Sequence, residues 1–178
     1  ENELFEFLFS RKGKLDGVCI TGGEPTLYPN LTNLIRRIRE MGFLVKLDSN
    51  GTAPEILKPL LREKLLDYVA IDIKNAPSQY AETCGADVIE YVEKSVALLK
   101  SSNIDYEFRT TVCHPFHSPK CMEEIGRWLR NAKRYYIQPF VDSGNLLGSG
   151  VSVMTKSELE TLLNAVKSYI PAAELRGG

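Results

Sequence analysis

The chain has 178 residues, 43% hydrophobic and 25% charged, with a formal net charge of −1. These values fit one soluble globular domain with a substantial core. They give no global attraction to nucleic acid or to an anionic membrane, and no apolar run approaches the roughly 18 residues of a membrane span.

In chain order, Leu4 to Phe9 has helical apolar spacing and reads as the end of a helix. Val18–Thr21 is a short apolar strand. Leu31 to Met41 is an amphipathic helix, with Leu31, Leu34, Ile35 and Ile38 on one face, Arg36, Arg37 and Arg39 mainly on the solvated side, and Gly42 as its cap. Phe43–Leu47 is the next strand. Pro54 opens a helix that runs to about Arg62, Pro being tolerated in the first turn. Tyr68–Ile73 is a strand and Ile89–Leu99 a helix; Tyr106–Val112 is a strand and Cys121–Leu129 a helix. Tyr135–Pro139 is a strand, Lys156–Ser168 a helix, and Pro171–Leu175 a short last strand. The order is one helix followed by five βα units, without a linker, low-complexity tract or second domain, so residues 1–178 read as one unit. Such alternation calls for a parallel sheet with helices packed outside. The strands read as apolar runs rather than strict alternation, the pattern of a sheet covered on its faces.

Ligands in such sheets sit at the carboxyl ends of the strands, and four polar motifs fall there. The first is Gly22-Gly23-Glu24-Pro25, after the strand containing Cys19. Its glycines let the backbone approach a ligand, and Glu24 can accept hydrogen bonds from a cationic amine. Taken alone, these residues fit a plain strand-ending turn equally well. The others are Asp48-Ser49-Asn50-Gly51, Asp72-Ile73-Lys74 and Arg109-Thr110-Thr111. Asp48 and Asp72 end neighbouring strands and repel unless a cation lies between them or one is protonated. Lys74 shares a face with Asp72 in an extended segment; a plain Asp72–Lys74 surface ion pair is the lesser alternative. Asn50 and Gly51 favour a turn on backbone grounds alone. Arg109, beside Phe108 and Val112, is partly buried and needs an anion.

Over nearly the whole chain, from about residue 4, this set resembles the radical S-adenosylmethionine enzymes. It is most similar to the activases of glycyl radical enzymes, those of pyruvate formate-lyase and of anaerobic ribonucleotide reductase. The resemblance implies an α/β fold, a partial TIM-type (βα) barrel of parallel strands with five βα units visible and the first missing. It implies binding of S-adenosylmethionine, its amino group held at Gly22, Gly23, Glu24 and Pro25 and its carboxylate at Lys74. Arg109 would lie near the carboxylate or sulfonium, with Asn50 and Gln138 as further contacts. A monovalent cation at Asp48, Ser49 and Asp72 is also implied. The implied chemistry is one-electron cleavage of S-adenosylmethionine by a [4Fe–4S] cluster. The resulting 5′-deoxyadenosyl radical takes a hydrogen atom from a glycine of a partner enzyme. A low-potential electron donor such as flavodoxin or ferredoxin and a cytoplasmic setting go with it.

The chain departs from the family in lacking Cys-x-x-x-Cys-x-x-Cys, whose thiolates hold the cluster. Glu1-Asn2-Glu3 reads as the middle of a longer frame, so the expectation is that motif and first strand lie upstream and that this piece alone is inactive in radical chemistry. Val141 stands where the pyruvate formate-lyase activators carry His, a mild pointer to a ribonucleotide reductase activator or a less specialised relative. Other radical enzymes on this scaffold, acting on a small purine-like molecule, are an alternative, as is a degenerate non-catalytic binding domain. The four cysteines, Cys19, Cys84, Cys113 and Cys121, lack the close spacing of a zinc ribbon or redox pair. Cys113, His114, His117 and Cys121 are zinc-ligand types at irregular spacing, and an ordinary loop stiffened by Pro115 and Pro119 is favoured there. An open barrel edge would invite self-association of the piece.

Overall fold

Six strands form a single sheet in a computed structural model that describes residues 1–142, 144 and 150–177. They are β1 (Gly17–Ile20), β2 (Leu44–Ser49), β3 (Tyr68–Asp72), β4 (Asp105–Val112), β5 (Tyr135–Pro139) and β6 (Ala173–Leu175). The spatial order is the chain order, and each neighbouring pair is parallel. Parallel neighbours need crossovers, and helices supply them: α2 (Leu31–Glu40), α3 (Pro54–Arg62), α4 (Tyr80–Cys84), α5 (Ile89–Ser101), α6 (Pro119–Trp128) and α7 (Lys156–Lys167), with α1 (Asn2–Ser10) ahead of β1. The result is an open α/β sheet, a partial barrel of the expected type. Boundaries move from the sequence reading by a few residues at most, and the short helix α4 was not anticipated. No described helix is long and apolar enough to cross a membrane.

Local sequence explains the helix starts. Pro54 and Pro119 occupy first-turn positions, where the missing N–H costs nothing. The Ser118 side chain accepts from the Cys121 N–H, and Thr155 with Glu158 forms a reciprocal capping box at α7.

The central residues of β3, Val69, Ala70 and Ile71, are all buried as an apolar run, whereas the other strands alternate. Val45 and Leu47, Val69 and Ile71, Tyr106 and Phe108, and Tyr135 and Ile137 are buried in one continuous core. That core includes Ile35 and Ile38 of α2, Leu57 and Leu60 of α3, Val96 and Leu99 of α5, Met122 and Ile125 of α6, and Val166 of α7. The strand period of two turns the intervening residues to the other face: Lys46 and Asp48, Tyr68 and Asp72, Glu107 and Arg109, Tyr136 and Gln138. Only one face is covered by helices; the other is polar and carries the site.

The second strand runs further than read, and the fourth ends at Val112 as expected. Asp48 and Ser49 pair with Ala70 and Ile71, so they belong to β2 rather than to a turn. β4 outruns β3, so Arg109 pairs with Asp72 and lies level with the end of β3, three residues before its own strand stops.

Candidate active site

A cleft of about 270 Å3 opens at the carboxyl ends of β1 to β4, lined by residues of all four motifs, among them Gly23, Glu24, Asp48, Asn50, Lys74 and Arg109. Gly22 (φ +93°) and Gly23 (φ +54°) turn the chain out of β1 in left-handed backbone, a region that side chains disfavour.

That turn delivers Glu24 across the sheet end to β2. Its Oε1 accepts from Thr26 N (3.2 Å), Thr26 Oγ1 (2.7 Å) and Ser49 Oγ (2.8 Å), and its Oε2 accepts from Asn50 N (2.6 Å). A carboxylate offers about four acceptor sites, two on each oxygen, so Oε2 retains capacity for one more donor. Asn50 Oδ1 in turn accepts from Thr52 N (2.9 Å) and Oγ1 (2.7 Å). Gly51 adopts φ +78°, and an added Cβ would meet Ile71 Cγ2 at 3.0 Å; its carbonyl accepts from the buried Ser95 hydroxyl at 2.7 Å. Pro25 is buried at the start of the short turn Pro25–Leu27.

Asp48 and Asp72 do converge, and the cation between them is the Arg109 guanidinium. Nη1 contacts Asp48 Oδ2 at 2.9 Å, while Nε and Nη2 contact Asp72 Oδ1 at 2.8 Å. Lys46 pairs with the other oxygen of Asp48, and Lys74 Nζ stands 3.4 Å from Asp72 Oδ2. The result is a ladder of alternating charge, Lys46–Asp48–Arg109–Asp72–Lys74. Burial pushes the Asp48 carboxyl up, but hydrogen bonds from Lys46 and Arg109 outweigh it and hold the group below its usual range. Burial likewise works against the Arg109 charge, and the two carboxylates more than offset it. Ser49 does not join this ladder. It sits on the opposite side of β2, where its hydroxyl donates to Glu24 and accepts from Gly51 N at 3.0 Å. Among the described residues, no three His, Cys, Asp or Glu side chains are placed to hold a metal ion.

The Lys74 side chain is 47% exposed, but its backbone is fixed: its N–H donates to Tyr80 OH (3.3 Å) and its carbonyl lies 3.0 Å from His117 Nε2. Gln138 is in register with Thr111, one strand beyond Arg109, and is not among the residues lining the cleft. Val141 is exposed after β5. The Cys113–Cys121 segment is a hydrogen-bonded loop. His117 bonds to Lys74 and Cys113, Cys121 Sγ to Asn75 Oδ1, and His114 to Glu158.

Sequence reasoning missed a second group on the same face. Glu107 is buried and receives Arg176 through two bonds, at 2.8 and 2.9 Å, and the Tyr68 hydroxyl at 2.9 Å. Arg176 also stacks on Tyr136, 3.4 Å from the ring centroid. The readable signal was a Glu inside a strand, Tyr106-Glu107-Phe108, since a buried carboxylate needs a cation. Lys46 was missed likewise, although it lies two residues from Asp48 on the same strand face.

The Radical SAM superfamily profile matches residues 2–129. A protein of Methanocaldococcus jannaschii that carries the name of a glycyl-radical enzyme activating enzyme is 33% identical over 96% of this chain and 72% of its own length. A 7-carboxy-7-deazaguanine synthase of Methanopyrus kandleri is 46% identical over 86% of this chain, which spans only 57% of that relative. Among solved structures, a domain of pyruvate-formate lyase-activating enzyme from Bacteroides vulgatus superposes with a TM-score of 0.74 at 18% identity, covering 90% of this chain and 99% of that one. With the family's motifs gathered at one sheet end and the profile matching most of its length, the chain belongs to the radical SAM superfamily and has a glycyl-radical enzyme activating enzyme by name among its relatives.

Proposed function

We propose that this chain is the S-adenosylmethionine-binding part of an activase that installs a glycyl radical on a partner enzyme. The observation that carries the reading is the cleft itself, where one acceptor oxygen of Glu24 remains available and Lys74 stands on the other side. At about 270 Å3 the cleft is smaller than the roughly 300–1,000 Å3 of pockets that enclose a drug-sized ligand. It therefore suits the amino-acid end of S-adenosylmethionine, with the nucleoside at the mouth.

In this reading Glu24, with the Gly22-Gly23-Glu24-Pro25 backbone, holds the ligand's ammonium and Lys74 holds its carboxylate. Arg109 contributes positive charge from the floor, and Asn50 and Gln138 lie towards the nucleoside. Arg109 already neutralises Asp48 and Asp72, so a monovalent cation there would have to displace the guanidinium. The donor set does not fit an iron–sulfur cluster: residues 1–178 hold no Cys-x-x-x-Cys-x-x-Cys, and Cys121 is engaged with Asn75. In this reading residues 1–178 bind S-adenosylmethionine and do not themselves hold the cluster. Reductive cleavage of S-adenosylmethionine supplies the 5′-deoxyadenosyl radical; this chain's residues bind the ligand, orient it and exclude water.

The partner is a glycyl radical enzyme of the pyruvate formate-lyase or anaerobic ribonucleotide reductase type, with a flavodoxin- or ferredoxin-like donor in the cytoplasm. The similarity to a 7-carboxy-7-deazaguanine synthase supports a second reading, modification of a small purine-like molecule. To separate the two, the full-length protein is reconstituted anaerobically, reduced and mixed with S-adenosylmethionine and, in separate reactions, each partner enzyme or the reduced pterin precursor of 7-carboxy-7-deazaguanine. An electron-spin glycyl-radical doublet on a partner is the expected result. Formation of 7-carboxy-7-deazaguanine without that signal would replace the activase reading.

A further inference from the structure

The Cys113–Cys121 loop carries metal-ligand residue types that are not gathered into a group of three among the described residues, which leaves its buried polar groups to be accounted for. His117 is 5% exposed and Asn75 1%. The Lys74 carbonyl can only accept, so the proton of His117 lies on Nε2 and donates there at 3.0 Å. Nδ1 is then bare and accepts from Cys113 N at 3.2 Å, with the Cys113 carbonyl 3.3 Å away. Burial favours this neutral ring. Asn75, the next residue, donates to Thr83 Oγ1 (2.7 Å) and to the Phe116 carbonyl (3.2 Å), and accepts from Ala76 N and Cys121 Sγ, both at 2.7 Å. Tyr80, also buried, takes the Lys74 N–H.

Both backbone groups of Lys74 are thus held by side chains from elsewhere in the chain, one of them 43 residues away. Lys74 also lines both the 270 Å3 cleft and a neighbouring cavity of about 340 Å3, whose wall includes Thr111, Cys113, Phe116 and His117. A half-exposed lysine on a free strand end samples many positions, and ordering it on binding costs side-chain entropy.

We infer that His117 is a positioning residue, with Tyr80 and Asn75 beside it. His117 latches the Lys74 carbonyl to the loop after β4, Asn75 ties the next residue to the Phe116 carbonyl of that loop, and Tyr80 of α4 holds the Lys74 N–H, so that the Lys74 ammonium is aimed at a ligand carboxylate. The inference rests on the proposed role of Lys74 and assigns the loop a task in ligand affinity.

The test is calorimetric titration of the full-length, cluster-loaded but unreduced protein, so that no turnover enters. Two ligands are compared: S-adenosylmethionine, and 5′-methylthioadenosine, which lacks the amino-acid end. His117→Leu keeps the bulk and removes both hydrogen bonds; it is expected to weaken S-adenosylmethionine about five- to tenfold and to leave methylthioadenosine unchanged. His117→Gln retains a donor for the Lys74 carbonyl and is expected within about twofold of wild type. Tyr80→Phe is expected to weaken S-adenosylmethionine about threefold, and it decides the matter if His117→Leu does not fold. Lys74→Ala separates the two layers of the argument. If it leaves S-adenosylmethionine binding unchanged, the role of Lys74 fails and the latch with it. If Lys74→Ala weakens binding while folded His117→Leu and Tyr80→Phe bind normally, the latch alone is overturned. Equal weakening of both ligands by His117→Leu would reduce His117 to a packing residue and would also overturn the inference.

Discussion

Replacing Arg109 with Met tests the charge ladder most severely. The Arg109 and Asp48 side chains are only 15% and 14% exposed, and removing one member of a buried pair costs roughly 3–5 kcal/mol because a charge is left behind. Two observations lower that figure. Asp48 keeps Lys46, and Asp72 is 37% exposed with Lys74 nearby, where solvent screens the charge. The expected loss is about 2–3 kcal/mol. For a chain of this size each kcal/mol moves the melting point by about 2–4 °C, so circular dichroism melting near pH 7 should show a fall of about 8 °C. The pH dependence gives a sign. In the wild type Asp48 lies below its usual range, so its contribution is present above about pH 4 and is lost as pH falls through the lowered value. In Arg109→Met burial is less opposed and the carboxyl rises. The folded variant then takes up protons earlier, and its deficit narrows as pH falls from about 7 to about 4. An unchanged melting point at neutral pH, or a deficit that widens in acid, would refute the reasoning.

Further outcomes follow from other contacts. Gly51→Ala meets both a φ of +78° and Ile71 Cγ2 at 3.0 Å, and should cost about 1–3 kcal/mol in urea unfolding; a cost below about 0.5 kcal/mol would contradict that geometry. Arg176→Met removes both of its bonds to Glu107, which is 3% exposed, and leaves that carboxylate the Tyr68 hydroxyl and Arg109 Nη1 at 3.8 Å; it should cost about 2–3 kcal/mol by the same measurement. Burial first, and then the hydrogen bond to Glu107, push the Tyr68 phenol up to about 12. Its contribution to stability therefore holds below about pH 10 and fades towards pH 12, which ultraviolet titration of the phenolate should follow. Dialysis against a chelator should leave the melting point of this chain within about 1 °C, since His117 and the Cys121 thiol bond to protein groups; stoichiometric zinc in the purified chain would contradict this.

The fold was legible because βα alternation and helix punctuation are local signals. Pro54, Gly42 and the Lys156–Lys167 periodicity needed no tertiary context. The polarity of the sheet's inner face was not read, since Lys46, Glu107 and Tyr136 lie between apolar residues in strands short enough to pass as apolar runs. The four motifs pointed to the right end of the sheet because turn residues after apolar runs mark strand ends. What each carboxylate meets there was not legible. Whether Asp48 and Asp72 face a metal ion or a guanidinium depends on β4 outrunning β3 so that Arg109 comes level with Asp72. That register is set by pairing across distant segments. The same holds for His117, whose partner is a backbone carbonyl that no side-chain pattern announces.

The central claim is that the cleft around Glu24 and Lys74 serves radical chemistry on S-adenosylmethionine. It is tested most directly by 5′-deoxyadenosine formation in the reduced, cluster-loaded full-length protein. The account predicts cleavage by the wild type, with Glu24→Ala and Lys74→Ala both losing at least about tenfold in kcat/KM. A cluster-loaded protein that forms no 5′-deoxyadenosine, or one that both substitutions leave fully active, would contradict it.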